Sequence, residues 1–331
     1  MKPPLAWFGG KAQVAPVIWA ALGDVHTYLE PFAGMLGALL ARPQPWKGRE
    51  LVNDLNGHVA NFWRVVQTQA EAMMAIAAMI PWTEVEHRAH GKALLREEGV
   101  LTAHLIADPA WSDVRAAAWW YRHAQWSIGF PLAHPTARPA ITHPHRPAPA
   151  GDVMALQLRL RNVVVLCGEW ARLVAPSVLG VMARPVGILL DPPYAGHAKL
   201  YSRQEVAHEV REWAVRHGEE DGLRLVVCGY PGLDMPKPWR RESWWARGRQ
   251  NEVREEWLWL SPGCEDPETG QMGLWREGND DESGSAGNGI IGHCRSRIPE
   301  GALEAGKGGE DVRGDGDHAV VLRLREADGD D

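Results

Sequence analysis

Cysteine is scarce in this chain: there are four in 331 residues, at 167, 228, 264 and 294, with no C-x-x-C pair among them. A small disulfide-stapled class is excluded, and reduced, mostly structural thiols in a cytoplasmic compartment are expected. Long apolar runs are also missing. Nothing approaches the ~20 residues that a membrane span needs, so a water-soluble chain with no membrane partner is expected. The first residues carry neither a long apolar stretch nor a small-residue cleavage site, which predicts no export. Phenylalanine and tyrosine are few, 4 and 5, against 17 tryptophans. Most of those indoles are expected in the core, with some available to stack on bases or cofactor rings. A basic excess is absent too: the net charge of −7 argues at first against nucleic acid. That charge is uneven, however. Residues 264–331 carry a net of −10 and 14 glycines, leaving +3 for the rest, and residues 110–180 hold seven arginines, no lysine and three acids. A basic patch is therefore available.

Aliphatic and β-branched runs that end in Gly, Pro, Asp or Asn recur at 26–32, 50–56, 163–168, 186–194 and 223–231. Being nearly continuous, they read as strands buried on both faces of a parallel sheet. Helical spacing lies between them at 14–22, 57–80 and 204–217, and the alternation predicts an α/β doubly wound sheet. More than 100 residues separate the second and third strands, including a helical stretch at 114–126 and a segment dense in Pro, His and Arg at 130–151. An interval that long predicts a subdomain. The expected organisation is a catalytic domain from residues 1–60 and 160–263, a mostly helical insertion at 61–159, and a largely disordered acidic tail at 264–331. A short strand at 318–325 is the one element expected in that tail.

The chemistry begins at Asp191-Pro192-Pro193-Tyr194, directly after the apolar run 186–190. A buried strand that ends in an acid, two prolines and an aromatic sets a rigid turn at the carboxyl edge of the sheet, where α/β folds bind ligands. The carboxylate suits one N–H of an exocyclic amine, a backbone carbonyl held by the prolines suits the second, and the tyrosine face suits the ring. Together they would draw the amine toward tetrahedral geometry and localise its lone pair for attack on an electrophilic methyl.

Asp191 to Tyr194 matches the D-P-P-Y motif of amino-group DNA methyltransferases. Trp7-Phe8-Gly9-Gly10-Lys11 resembles the W-x-G-G-K segment of the Dam-like N6-adenine class, Glu30-Pro31-Phe32-Ala33-Gly34 resembles its E-P-F-x-G loop, and Asp54-Leu55-Asn56 resembles its D-x-N turn. All stand in the family's order over roughly residues 5–262. The resemblance implies a Rossmann-like S-adenosylmethionine-dependent methyltransferase sheet with an inserted target-recognition region, acting as a monomer on N6 of adenine in double-stranded DNA by base flipping. A cognate restriction endonuclease is the further partner that it suggests. It also implies that Trp7, Lys11, Asp54 and Asp191 line the S-adenosyl-L-methionine site, with Gly10, Glu30, Phe32, Gly34 and Trp170 as further candidates. By their position alone, glycines let backbone approach a cofactor, and Asp54 ends a strand where carboxylates bond ribose hydroxyls.

Two departures stand out. The second glycine of the loop comes one residue later than the family's F-x-G-x-G, as Gly37, and Glu169-Trp170 replaces the commoner Asp-Phe pair. The insertion is the expected DNA reader, through Trp120, Arg122, Arg138 and Arg146, with charge for phosphates and groups able to reach base edges. His134, His143 and His145 lack the spacing of a structural zinc site, and no metal is expected. The alternatives are methylation of cytosine N4 and a catalytically silent DNA-binding relative. A nicotinamide dehydrogenase would want G-x-G-x-x-G after the first strand, which is absent.

Overall fold

The computed structural model describes residues 1–5, 10–45, 48–127, 150–193, 201–247 and 253–266. The chain divides into a unit of residues 1–283 and one of residues 284–331, and everything described lies in the first. The acidic tail beyond Asp266, Cys294 and the expected strand at 318–325 fall outside the described residues.

The expected strands form as β1 (Thr27–Glu30), β2 (Arg49–Asp54), β3 (Val163–Cys167), β4 (Val186–Leu190) and β5 (Leu223–Gly229). β1 and β4 are buried along their whole length, as continuous aliphatic runs demand in a sheet covered on both faces. Two further strands, β6 (Arg240–Arg247) and β7 (Val253–Leu260), complete a seven-stranded sheet of order β3-β2-β1-β4-β5-β7-β6. β1 to β5 pair in parallel; β7 runs antiparallel to β5, with Cys228 opposite Leu258 and Gly229 opposite Trp257. The start of β7 therefore lies at the same edge of the sheet as the ends of β1, β2, β4 and β5.

Side chains alternate between two apolar layers. Tyr28, Val52, Leu189, Cys228 and Leu258 face one core, shared with α1 (Ala15–Leu22), α2 (Gly37–Leu40), α3 (Gly57–Met79), α4 (Glu84–Ala107), α5 (Val114–Trp126) and α6 (Ala150–Leu160). Leu29, Leu51, Ile188, Val227, Trp257 and Trp259 face the other, against α8 (Tyr201–His217) and the segment 170–179, which ends in α7 (Pro176–Leu179). Trp257 and Trp259 are buried packing residues there.

The helices between β2 and β3 share the core of the sheet. The expected boundary at residue 61 falls inside α3, whose N-terminus is capped by the Asn56 side chain, accepting from His58 N (2.9 Å) and Val59 N (3.3 Å). Arg64 of α3, itself buried, donates to the carbonyls of Leu105, Asp108 and Trp111 and to Val165 O of β3. One guanidinium thus ties the α4–α5 connection to the sheet. On the other side of this layer the Glu50 carboxylate receives Arg42 (2.8 Å) and Arg159 (2.6 and 2.8 Å), joining β2 to the end of α2 and to α6. Cys167, Cys228 and Cys264 are free and buried, in keeping with structural thiols.

Candidate functional site

In the strand order the chain moves outward from β1 to β2 and β3 on one side and to β4 and β5 on the other, so the carboxyl ends of β1 and β4 flank a switch point, where open α/β sheets bind ligands. The loop after β1 is drawn tight there. Ala33 N donates to Asn53 O (2.8 Å) and Leu36 N to Ala33 O (2.8 Å), while Gly34 (φ 45°) and Leu36 (φ 55°) both take left-handed backbone. A buried leucine in that conformation is held by its surroundings. Asp54 supplies part of the hold: Oδ2 accepts from Gly34 N and Oδ1 from Asn56 N, each at 2.9 Å. Burial pushes its carboxyl up to about 6, against the pull of those two amides. Trp63 Nε1 donates to Gly34 O (2.8 Å). The buried Asn53 amide donates to Pro31 O (3.0 Å) and Gly168 O (2.9 Å), tying the ends of β1 and β3 to β2.

The displaced glycine has a local explanation. A Cβ on Gly37 would stand 2.8 Å from Ala12 N and 3.1 Å from Lys11 N, so the N-terminal segment rests directly on the first turn of α2. Seated that way, Lys11 is 4% exposed, with Nζ 3.0 Å from Asp191 Oδ2 and 3.6 Å from Glu256 Oε2. Burial alone would lower the Lys11 amine, but the carboxylates of Asp191 and Glu256 outweigh it and hold the amine above its ordinary range. The Cys228 thiol, pushed well up by burial and by the Asp191 charge, bonds to the same carboxylate. Asp191 is half-buried, Pro192 buried and Pro193 exposed.

Glu30 accepts from Tyr28 Oη (3.0 Å) and is 4% exposed. Burial pushes its carboxyl up to about 8, with Asp191 and Glu50 adding to the rise and bonds from Tyr28 and Leu39 opposing it. The protonated form is therefore favoured well above the ordinary carboxylate range. Phe32, half-buried, stacks on Trp170 (6.0 Å, 27°), which meets Trp213 edge-on (6.2 Å, 86°). Trp170 is 7% exposed and backs Phe32 from within the second core. Gly10 is exposed.

Two of the expected DNA-reading residues have other work. Trp120 is fully buried, its ring 5.1 Å from Phe62, so it packs the helical layer and does not reach a base; the expectation for it is corrected on that ground. The half-buried Arg122 guanidinium lies 3.3 Å from the centre of the Trp82 ring and donates to Ile80 O, at the C-terminal end of α3. Trp7, Tyr194, Arg138 and Arg146, with His134, His143 and His145, lie outside the described residues.

Glu256, Cys228 and Asn53 were not singled out by sequence reasoning. Only Asn53 had a local signal, as a polar residue within an otherwise apolar strand. Glu256 required the register of β7 against β5.

Residues 7–90 match the model of the D12 class N6 adenine-specific DNA methyltransferase family. The match takes in Lys11, Glu30, Gly34, Gly37, Asn53 and Asp54, and Asp191 lies outside it. No curated protein is matched by the chain. The family's activity is methylation of adenine in DNA. No described helix is long and apolar enough to cross a membrane.

Proposed function

Taking that match as the premise, we propose that the chain is a DNA methyltransferase that uses S-adenosylmethionine to methylate N6 of adenine in duplex DNA. The observation that carries the reading is the ion pair of buried Lys11 with half-buried Asp191 at 3.0 Å. It joins the family-matched N-terminal segment to Asp191, which lies outside the match.

The residues present fit the cofactor. Gly34, at positive φ, offers backbone with no side chain in the way. Asp54 is half-buried and has acceptor capacity beyond its two backbone partners. Phe32 is half-buried beside this loop, and Lys11, Asp191 and Glu256 set charged groups at the same edge of the sheet. Trp7 and Lys11 would complete the wall. When bound, S-adenosylmethionine supplies an electrophilic methyl group.

This chain's residues would do the rest by positioning and electrostatics. The target adenine leaves the duplex stack to reach the carboxyl edge of the sheet. Asp191 accepts one N–H of its exocyclic amine, the backbone carbonyl at Pro192 or Pro193 accepts the other, and Tyr194 stacks on the ring. Both acceptors pull the N–H bonds out of the ring plane and leave the lone pair localised on nitrogen.

Asp191→Ala should abolish methylation of duplex DNA while leaving the circular dichroism spectrum close to wild type, with a lower unfolding midpoint because buried Lys11 loses its nearest carboxylate. Digestion of the methylated DNA to nucleosides identifies the product by mass. Activity retained in Asp191→Ala, or N4-methylcytosine as the product, would overturn the assignment.

A further inference from the structure

A buried side-chain amide stands where three strands part. Asn53, 3% exposed, is one residue beyond the last pairing of β2 with β1, Val52 opposite Glu30, and one before its last with β3, Asp54 opposite Cys167. β1 gives way there to Pro31, and β3 to Gly168, which leaves the strand at φ 139°. Both carbonyls turn to the same nitrogen: Asn53 Nδ2 donates to Pro31 O (3.0 Å) and to Gly168 O (2.9 Å). Main-chain bonds run beside them, from Ala33 N to Asn53 O (2.8 Å) and from Gly168 N to Asp54 O (3.2 Å).

Two acceptors face this side chain, and the two N–H groups of a neutral amide satisfy both. A leucine of similar volume would remove the two bonds, and an aspartate would turn lone pairs toward two carbonyl oxygens. Leu51, two residues back on the same face of β2, belongs to the layer that holds Trp170 and takes Phe32 at its margin, so the amide lies on the face of the Phe32–Trp170 stack (6.0 Å, 27°). Phe32 follows Pro31 directly and Trp170 follows Gly168 by two residues, so fixing the two carbonyls fixes where the two rings meet. Farther along the first loop, Gly34 has its N–H taken by Asp54 Oδ2 and its C=O by Trp63 Nε1. Residues 31–34 are thus held in place before any ligand arrives, and a surface ordered in advance binds without a further ordering cost.

We propose that Asn53 is a positioning residue for the cofactor: its amide clamps the loops 31–34 and 168–170 to one another, so that Phe32, Gly34 and Asp54 meet S-adenosylmethionine as one surface formed in advance. This rests on the methyltransferase reading given above. The clamp itself is a property of the free chain and is measured without ligand.

The test takes the full chain, wild type, Asn53→Leu and Asn53→Asp, through hydrogen exchange without ligand, calorimetric binding of S-adenosylmethionine, and methylation of duplex DNA. In both variants the amides of residues 32–36 and 168–173 should exchange about tenfold faster or more, with those of β4 and β5 unchanged. Kd and KM for S-adenosylmethionine should rise about tenfold, while KM for DNA and kcat at saturating cofactor stay within about threefold of wild type. Asn53→Asp should bind the cofactor more weakly than Asn53→Leu, because it opposes both carbonyls. Asn53→Ser, which keeps one hydroxyl donor, should show a smaller loss of about threefold, and it carries the test if the other two do not fold. Faster exchange spread evenly over the sheet, or a fall in kcat with unchanged KM, marks a purely structural residue and overturns the proposal. Loosening of both loops with unchanged cofactor affinity overturns it as well, and leaves the methyltransferase reading intact. A wild-type chain that binds no S-adenosylmethionine overturns the reading itself, and the proposal with it.

Discussion

Glu30 carries a pH dependence that belongs to a single residue. Its carboxyl, ordinarily near 4.5, is held protonated to about 8 because burial penalises the charged form. Between those values the unfolded chain has lost this proton and the folded chain keeps it, so the folded state loses stability as pH rises through that window. Glu30→Gln removes the dependence and keeps a similar shape. In urea unfolding its stability relative to wild type should improve from pH 5 to pH 9 by on the order of 1–3 kcal/mol; parallel stabilities at the two pH values would refute this account. The motif positions Lys11, Asp54 and Asp191 were legible because strand ends, glycines and proline turns are local signals. Their mutual geometry was not: that Asp54 holds Gly34 in place, and that Trp170 sits behind Phe32, follow from packing that spacing does not encode.

Among the elements, the parallel strands and α5 were legible from their apolar runs and periodicity, and α5 occupies Val114–Trp126 as expected. α4 was not, for a physical reason. Its buried positions are His87, Gly91, Leu94, Leu101 and Leu105, so the inward stripe spends one position on a glycine and another on an imidazole and shows little apolar contrast. The corner between α3 and α4 is held instead by aromatic and cationic stacking, with Arg122 over Trp82 and Trp82 edge-on to Trp126 (5.9 Å, 84°). α2 shows how a short element can seat the N-terminal segment. Gly37→Ala would drive a methyl group against backbone atoms of Lys11 and Ala12, which cannot swing aside as a side-chain tip can. The expected result is a stability loss of about 1–3 kcal/mol, accompanied by at least tenfold weaker S-adenosylmethionine binding by calorimetry. A variant with wild-type affinity would show that the segment seats itself without this contact.

For the molecule as a whole, the net charge of −7 conceals two parts of opposite sign, since residues 264–331 carry −10 and the remainder +3. Glu265 and Asp266 belong structurally to the sheet domain, through Arg224 (2.8 Å) and Arg240 (3.1 Å). A truncation that tests the acidic segment should therefore begin after Asp266. Removing residues 267–331 should tighten non-specific duplex binding several-fold at low salt, with the gain fading as salt rises. Unchanged affinity at low salt would rule out competition between the tail and DNA for basic surface. The doubly wound class was readable from the alternation of strands and helices. The register of the reversed strand β7 against β5 was not, because pairing within a sheet is set by partners far away in the chain.

That reversed strand also bears on how the protein is made. Lys11 and Glu256 stand 245 residues apart in the chain, yet the two meet at 3.6 Å. The five parallel strands can pair before β7 has been synthesised, but the charge arrangement around Asp191 closes only when that strand docks. Contacts so distant in sequence form late and at high loop-closure cost. A chain whose parallel strands have paired is therefore compact while Lys11 still lacks its second carboxylate, and β7 completes that cluster last.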